Sequence, residues 1–440
     1  MDNYILQTLI TQGRIVTSAE IDPDNSYLQI GVYQRGNRKS KAANDAYPLF
    51  AIPLSEVGGP IGLLGTSLYS KTPAAGSDFS INHGIFFGLE AGLNSSTANY
   101  SIFLGKQSGA NATDAYESNF IGLQAGANLS NSYQSNFIGT LAGYSASYSS
   151  ASNFIGSSAG FNADFCSNSN FIGNNAGYGA LGSSGSNFIG EYAGRSCNNA
   201  TSSNFLGYYA GRQATSSYWS NFIGYLAGAY ASSSHKSVFI GPYAGNSHTG
   251  AFEAVFIGNG AGGSGGFYGN SFGCLKSLFV GAQCGEGSKT VTDSCAIGSG
   301  AMRGAQNNNE CVGINVNALG VSSGNYRYYA IGTSAGFVSS NSQNIIGIGT
   351  SATQACNNSN NVIGIGFQAA YNNDNVNNVI ALGQNAGLNN TLSGQTIISN
   401  SSLPSYVDRA TAQAAIVGGS AGSTYLYYNS TTGAIEGIRF

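Results

Sequence analysis

Hydrolytic chemistry needs paired carboxylates, or a nucleophile beside a base, held within reach of one bond. The 440-residue chain has 19 acidic residues and three histidines, His83, His235 and His248. Glu90, Asp114, Asp164, Glu191, Glu253 and Glu310 are scattered singly. Asp114 and Glu117 are close enough in sequence to pair, but both fall in one polar segment, where surface solvation is the expected role. Gly258-Asn259-Gly260-Ala261-Gly262-Gly263 spells GxGxxG, yet no helical pattern follows to point its amides at a phosphate. Asp does not recur in the register that calcium-binding Gly-rich repeats use. The seven cysteines are odd in number and form no CxxC pair, so neither a disulfide framework nor a zinc site is expected. Cys284 stands where other repeats have Ala and reads as a small apolar filler. The chain is therefore expected to be no enzyme and to hold no cofactor or metal.

Recognition chemistry is better represented. Tyr208, Tyr209, Trp219, Tyr225 and Tyr243 stand among Ser and Asn, away from the main apolar pairs. Amphipathic rings in such company suit sugar or protein surfaces. Packing over the edges of the fold and between chains is the competing role.

What must position these residues is a repeat. Glycines 88, 105, 122, 139, 156, 173, 190, 207, 224, 241 and 258 are each 17 residues apart. A step of 23 leads to Gly281, and the period of 17 resumes through Gly298, Asn315, Gly332, Gly349, Gly366 and Gly383. A fixed period marks a solenoid, whose coils bury their apolar faces only by stacking. With the motif glycine as position 0, Phe or another residue stands at −2, Ile or Leu at −1, Ala at +3 in most copies and Gly at +4 in the first eleven. β-Branched and aromatic residues recurring beside Gly and Asn argue for strands and against helix. The fold class expected is all-β: an elongated parallel β-solenoid of about 18 coils, homotrimeric, with small β-rich end modules.

Neighbouring strand residues point to opposite faces, so −2 and −1 cannot both enter one narrow core. The Phe column, Phe103, Phe120, Phe137, Phe154, Phe171, Phe188, Phe205, Phe222, Phe239 and Phe256, is the core or trimer-interface ladder, and the spacing does not decide which of the Phe and Ile columns faces partner chains. An exposed stripe of that length is expected to be covered by further copies of the chain, most simply around a three-fold axis. Asn119 through Asn221 at −3 predict an amide ladder. In later copies such as Cys295-Ala296-Ile297-Gly298, the apolar −3 and −1 residues are expected to keep the core face while the Phe face shrinks. The extra residues within Gly262 to Asn270 are expected to form a loop.

Residues 1–64 break the period and are expected to form an attachment domain; 65–400 form the shaft and 401–440 a cap or tip. Arg35, Arg38, Lys39 and Lys41 are read as a solvated loop. A net charge of −3 gives no general attraction to nucleic acid. No secretory leader and no run of ~18 apolar residues is expected from the sequence.

The copies at 295–298, 329–332 and 380–383 resemble the head repeat of trimeric autotransporter adhesins, and the Asn-Phe-Ile-Gly-x-x-Ala-Gly copies are similar to repeats of bacteriophage tail-fibre proteins. The resemblance implies a left-handed parallel β-roll that trimerises along its length. It also implies a structural fibre of a phage virion, assembled in the host cytoplasm, joined to other virion proteins through residues 1–64 and contributing to host glycan or receptor adhesion. A bacterial adhesin or matrix protein is the alternative, and a capsule depolymerase spike the minor one.

Overall fold

The computed structural model describes residues 84–97, 99–263 and 273–398 with their side chains, and the backbone of strands Ile15–Asp22, Tyr27–Tyr33, Phe50–Pro53, Gly62–Leu64, Ser67–Tyr69, Ser405–Tyr406, Thr424–Asn429 and Ala434–Arg439. Arg35, Arg38, Lys39 and Lys41 and the extra residues from 264 to 272 lie outside it. The fold is an all-β parallel β-solenoid of about 18 turns with a 17-residue repeat, and no helix occurs among the described residues. It divides into two units, Met1–Tyr178 and Gly179–Phe440.

Within the first unit, Ile15–Asp22, Tyr27–Tyr33 and Phe50–Pro53 form an antiparallel sheet. Rungs of three residues then stack in parallel, from Ser67–Tyr69 onward, each residue opposite the one a period later. Gly62–Leu64 is an antiparallel partner of that first rung rather than a rung itself. The second unit stacks its rungs from Asn187–Ile189 to Thr396–Ile398 in the same parallel register, which is kept across the inserted residues, with Val255 opposite Leu278. Near its end Thr424–Asn429 and Ala434–Arg439 pair antiparallel as a hairpin, Asn429 opposite Ala434.

The Phe column lies inside the coil. Phe103, Phe154, Phe205 and Phe256 are fully buried, whereas Ile172, Ile189 and Ile223 at −1 are 37–39% exposed. In the first unit Phe86 stacks on Phe103 at 4.6 Å and Phe103 on Phe120 at 4.9 Å. In the second, Phe205 stacks on Phe222 at 4.7 Å and Phe222 on Phe239 at 4.6 Å. Burying each ring contributes about 2–3 kcal/mol, but only because its neighbours cover both of its faces. The outward column is the aliphatic one.

Two glycines per coil make this narrow core feasible. At position 0, Gly122 has φ 136°, and a Cβ there would run into the carbonyl of Gly139 on the next rung. At +4, Gly126 has φ 62°, and a Cβ would strike the buried Phe120 ring. Buried serines close the core's polar account. The Ser135 amide donates to Ser118 Oγ at 3.1 Å, and the Ser135 hydroxyl lies 3.2 Å from the Ser149 carbonyl it donates to. Such pairing removes the cost of burying hydroxyls.

In the later coils the expected assignment of faces is overturned. Ala330 and Gly347 at −2 are buried, while Tyr329, Ile331, Ile346 and Ile348 at −3 and −1 are 36–41% exposed. Strand alternation is preserved, so it is the inward residue that has shrunk. The lost ring volume is replaced from elsewhere in the coil: Tyr328 and Ile345 enter at −4, where earlier coils have Ser, and Met302 and Leu319 occupy +4. With no Phe opposite, the +4 glycine is no longer obligatory.

Candidate functional site

Each coil turns its corners through residues in the left-handed region. In the coil of Gly122 these are Gln124, Asn128, Asn131 and Gln134, with φ between 49° and 58°. Asn visits this region most readily, whereas a bulky side chain there costs on the order of 1–2 kcal/mol. The abundance of Asn, Ser and Gln at +2, +6, +9 and +12 thus has a backbone cause.

Bulky residues also take such corners in scattered coils, among them Tyr100, Leu141, Phe165, Val321 and Val338, and one stretch of the second unit gathers several aromatic ones. Tyr192, Tyr209 and Tyr243 occupy +2 with φ 58–59°, Tyr230 occupies +6 with φ 60°, and Trp219 occupies +12 with φ 56°. Tyr192 stacks on Tyr209 at 4.8 Å, and Tyr208 meets Tyr209 edge-on at 4.2 Å. Tyr208 also lies parallel to Tyr225 at 5.7 Å, and Tyr225 meets Tyr243 at 5.3 Å. Arg195 lies 5.4 Å from the centre of the Tyr192 ring, and Arg212 lies 4.8 Å from Tyr209 and 5.6 Å from Tyr230. Each such pair is worth roughly 0.5–1 kcal/mol at an exposed site. The result is a comb of rings on one corner of four successive coils. Hydrogen bonding with Tyr209, together with lesser burial, pushes the Tyr208 phenol up to about 12, and hydrogen bonding with Tyr243 raises that of Tyr225. These hydroxyls stay protonated at physiological pH and can both donate and accept.

Beyond Tyr243 the comb opens into a shallow pocket of about 190 Å³ lined by Tyr243, Asn246, Asn259, Gly260, Gly263, Gln283 and Glu286. Glu286 is 7% exposed and its Oε2 lies 3.0 Å from Arg303 Nε. One aromatic ring, three amides and a held carboxylate can take up several hydroxyl groups at once.

Of the five aromatic residues expected to act in recognition, Tyr208, Tyr209, Tyr225 and Tyr243 come together in the comb, and Trp219 does not. It sits on another corner, edge-on to Tyr218 at 5.3 Å and 6.0 Å from Lys236 Nζ, with Tyr218 stacked on His235 at 3.9 Å. Arg195, Arg212 and Glu286 were not singled out by the sequence reading. Recurrence of Arg at +5 in two consecutive coils is the signal that marks the first two. For Glu286 the sequence carries no comparable mark.

The candidate acids are occupied elsewhere. Asp114 Oδ1 accepts from Thr97 Oγ1 at 2.7 Å, and Glu117 Oε2 accepts from Gln134 Nε2 at 2.9 Å, both on the exterior between successive coils. All seven cysteines are free thiols, and burial pushes Cys274, Cys284 and Cys356 up to about 12. Among the described residues no three His, Cys, Asp or Glu side chains gather closely enough to hold a metal ion, and no helix is long and apolar enough to cross a membrane. Compared with protein-family models, with curated proteins and with solved structures, the chain matches none.

Proposed function

We propose that this chain is a non-enzymatic structural fibre protein that assembles with copies of itself, as a homotrimer, and recognises surface glycans through the Tyr192 to Tyr243 comb. Its setting on this reading is a phage virion, with residues 1–64 attaching to other virion proteins and the repeats presented to a host surface. The observation that supports recognition is the run of ring contacts among Tyr192, Tyr208, Tyr209, Tyr225 and Tyr243 on one corner of successive coils. Rings gathered with two Arg groups on neighbouring coils form a surface suited to recognition rather than to folding alone. Flat rings stacked a rung apart match the apolar faces of successive sugar rings, and the flanking amides and Arg groups match their hydroxyls.

The test is binding of the whole chain to a glycan array and to intact host cells, compared with Tyr209→Asn and Tyr243→Asn. These substitutions relieve backbone strain, so thermal stability should hold or rise slightly while affinity falls at least tenfold. Glycan binding that both variants retain in full would overturn the assignment of the comb.

A further inference from the structure

Between the corner carrying Trp219 and the corner carrying the tyrosine comb runs the outward face of the rungs. From Val238 to Leu382 both outward positions of every rung are occupied by residues without charge, and nearly all are aliphatic: Val238 with Ile240, Val255 with Ile257, and so on to Ile380 with Leu382. Nine consecutive coils of the second unit share this pattern, and all eighteen side chains are half-buried or exposed. In earlier coils such as 187–189, 204–206 and 221–223, Asn fills the −3 position and bonds along its own column, Asn187 to Asn204 and Asn204 to Asn221 at 2.7 Å. A wettable amide stripe thus gives way to an aliphatic one.

We infer that this nine-coil face is where a second copy of the same chain packs. At about 60 Å² for each side chain so exposed, the stripe presents on the order of 1,000 Å², above the roughly 800 Å² per partner of a standard stable interface and above the largest apolar patch of a typical monomer. The electrostatics of its border point to the same occupant. The column at −5 carries Lys236, Glu253, Lys276, Asp293, Glu310 and Arg327 and then Asn344, Asn361 and Asn378. Lys236 pairs with Glu253 at 3.2 Å and Arg327 with Glu310 at 2.9 Å, while Asn361 donates to Asn378 at 2.9 Å. The other border, from Pro242 and Asn259 to Phe367 and Gln384, is uncharged at all nine positions. Three positive and three negative charges, four of them paired within the chain, leave no net sign by which a differently charged partner would be steered. A straight aliphatic stripe repeating at the rung spacing is best covered by another stripe of the same repeat, and this chain supplies one. The self-complementary patch of a symmetric oligomer has this form.

This inference rests on the reading of the chain as a self-assembling fibre protein, and the experiment separates the two. Light scattering of the whole chain across a thousandfold range of concentration gives the number of copies, and Ile348→Asp with Ile365→Asp places two carboxylates on the face without entering the core. We expect a stable oligomer for the native chain and at least a hundredfold weaker association for the double variant, with its glycan binding per chain intact. A monomeric native chain overturns both self-assembly and the face, whereas an oligomer indifferent to the two substitutions overturns the face alone. Cys295 gives a readout that needs no variant, because it stands half-buried on the stripe while the other six cysteines are buried. Its alkylation, followed by mass spectrometry, should slow at least tenfold as the copies associate. A rate independent of concentration while the chain associates would place the contact elsewhere.

Discussion

Burial deprives His248 of its proton. The imidazole is fully buried beside Phe256, at 5.1 Å, and its Nδ1 donates to the Gly262 carbonyl at 2.8 Å. Nε2 has no partner, and desolvation lowers the pKa to about 4. The unfolded chain takes up that proton near pH 6.5, so between the two values the unfolded state binds more protons than the folded one. Stability is therefore full above about pH 6.5 and declines as pH falls toward 4, by on the order of 3 kcal/mol in all. At the same position another coil buries Leu129. We expect His248→Leu to remove this part of the acid sensitivity, measured as the difference in urea midpoint between pH 7 and pH 4.5. An unchanged difference would place the acid sensitivity at other groups.

Within one coil, position −2 and position +4 share one volume. Phe205 requires Gly211, because a Cβ on Gly211 would meet the Phe205 ring, whereas Ala296 coexists with Met302. Gly211→Met alone should cost about 2–4 kcal/mol, from the left-handed conformation and from overpacking. Phe205→Ala alone should cost about 3–5 kcal/mol for its cavity. Together they should cost less than the sum by at least about 1 kcal/mol, read from hydrogen exchange of that coil's amides. Additive costs would sink the idea of a shared volume. This coupling also explains how far the sequence could be read. The period of 17, the parallel rungs and the Asn119–Asn136 ladder follow from spacing alone, because identical residues one period apart must lie side by side. The direction in which Ile346 and Ile348 point did not, because a pattern of apolar, small, apolar looks like a core strand when hydropathy is the only guide. Only the larger residues at −4 and +4 reveal that the small one faces inward. The comb was legible as residues but not as a place, since Trp219 and Tyr225 are six apart in sequence and stand on different corners.

For the molecule as a whole, stability should be nearly a sum over rungs and their contacts. Excising one full period, Asn153–Ser169, leaves Ser152 joined to Asn170 and every later residue in register. We expect this deletion to fold and to melt within a few degrees of the native chain. Excising 16 residues, Asn153–Asn168, should instead lose the rungs around the junction, since a shift by one sends inward side chains outward. Circular dichroism and thermal melts compare the two, and equal tolerance of both deletions would contradict rung-by-rung register. Within a unit, each rung is tied to the next through bonds such as Gly105 N to the Phe87 carbonyl at 2.8 Å and Gly122 N to the Leu104 carbonyl at 2.8 Å. Such bonds run along the stack, while the covalent chain runs around it. Tension along the stack therefore falls on one set of bonds after another, and each set that yields releases a 17-residue coil, about 60 Å of slack chain. The same repeat that lets the fold be built one rung at a time lets it absorb a pull in equal instalments.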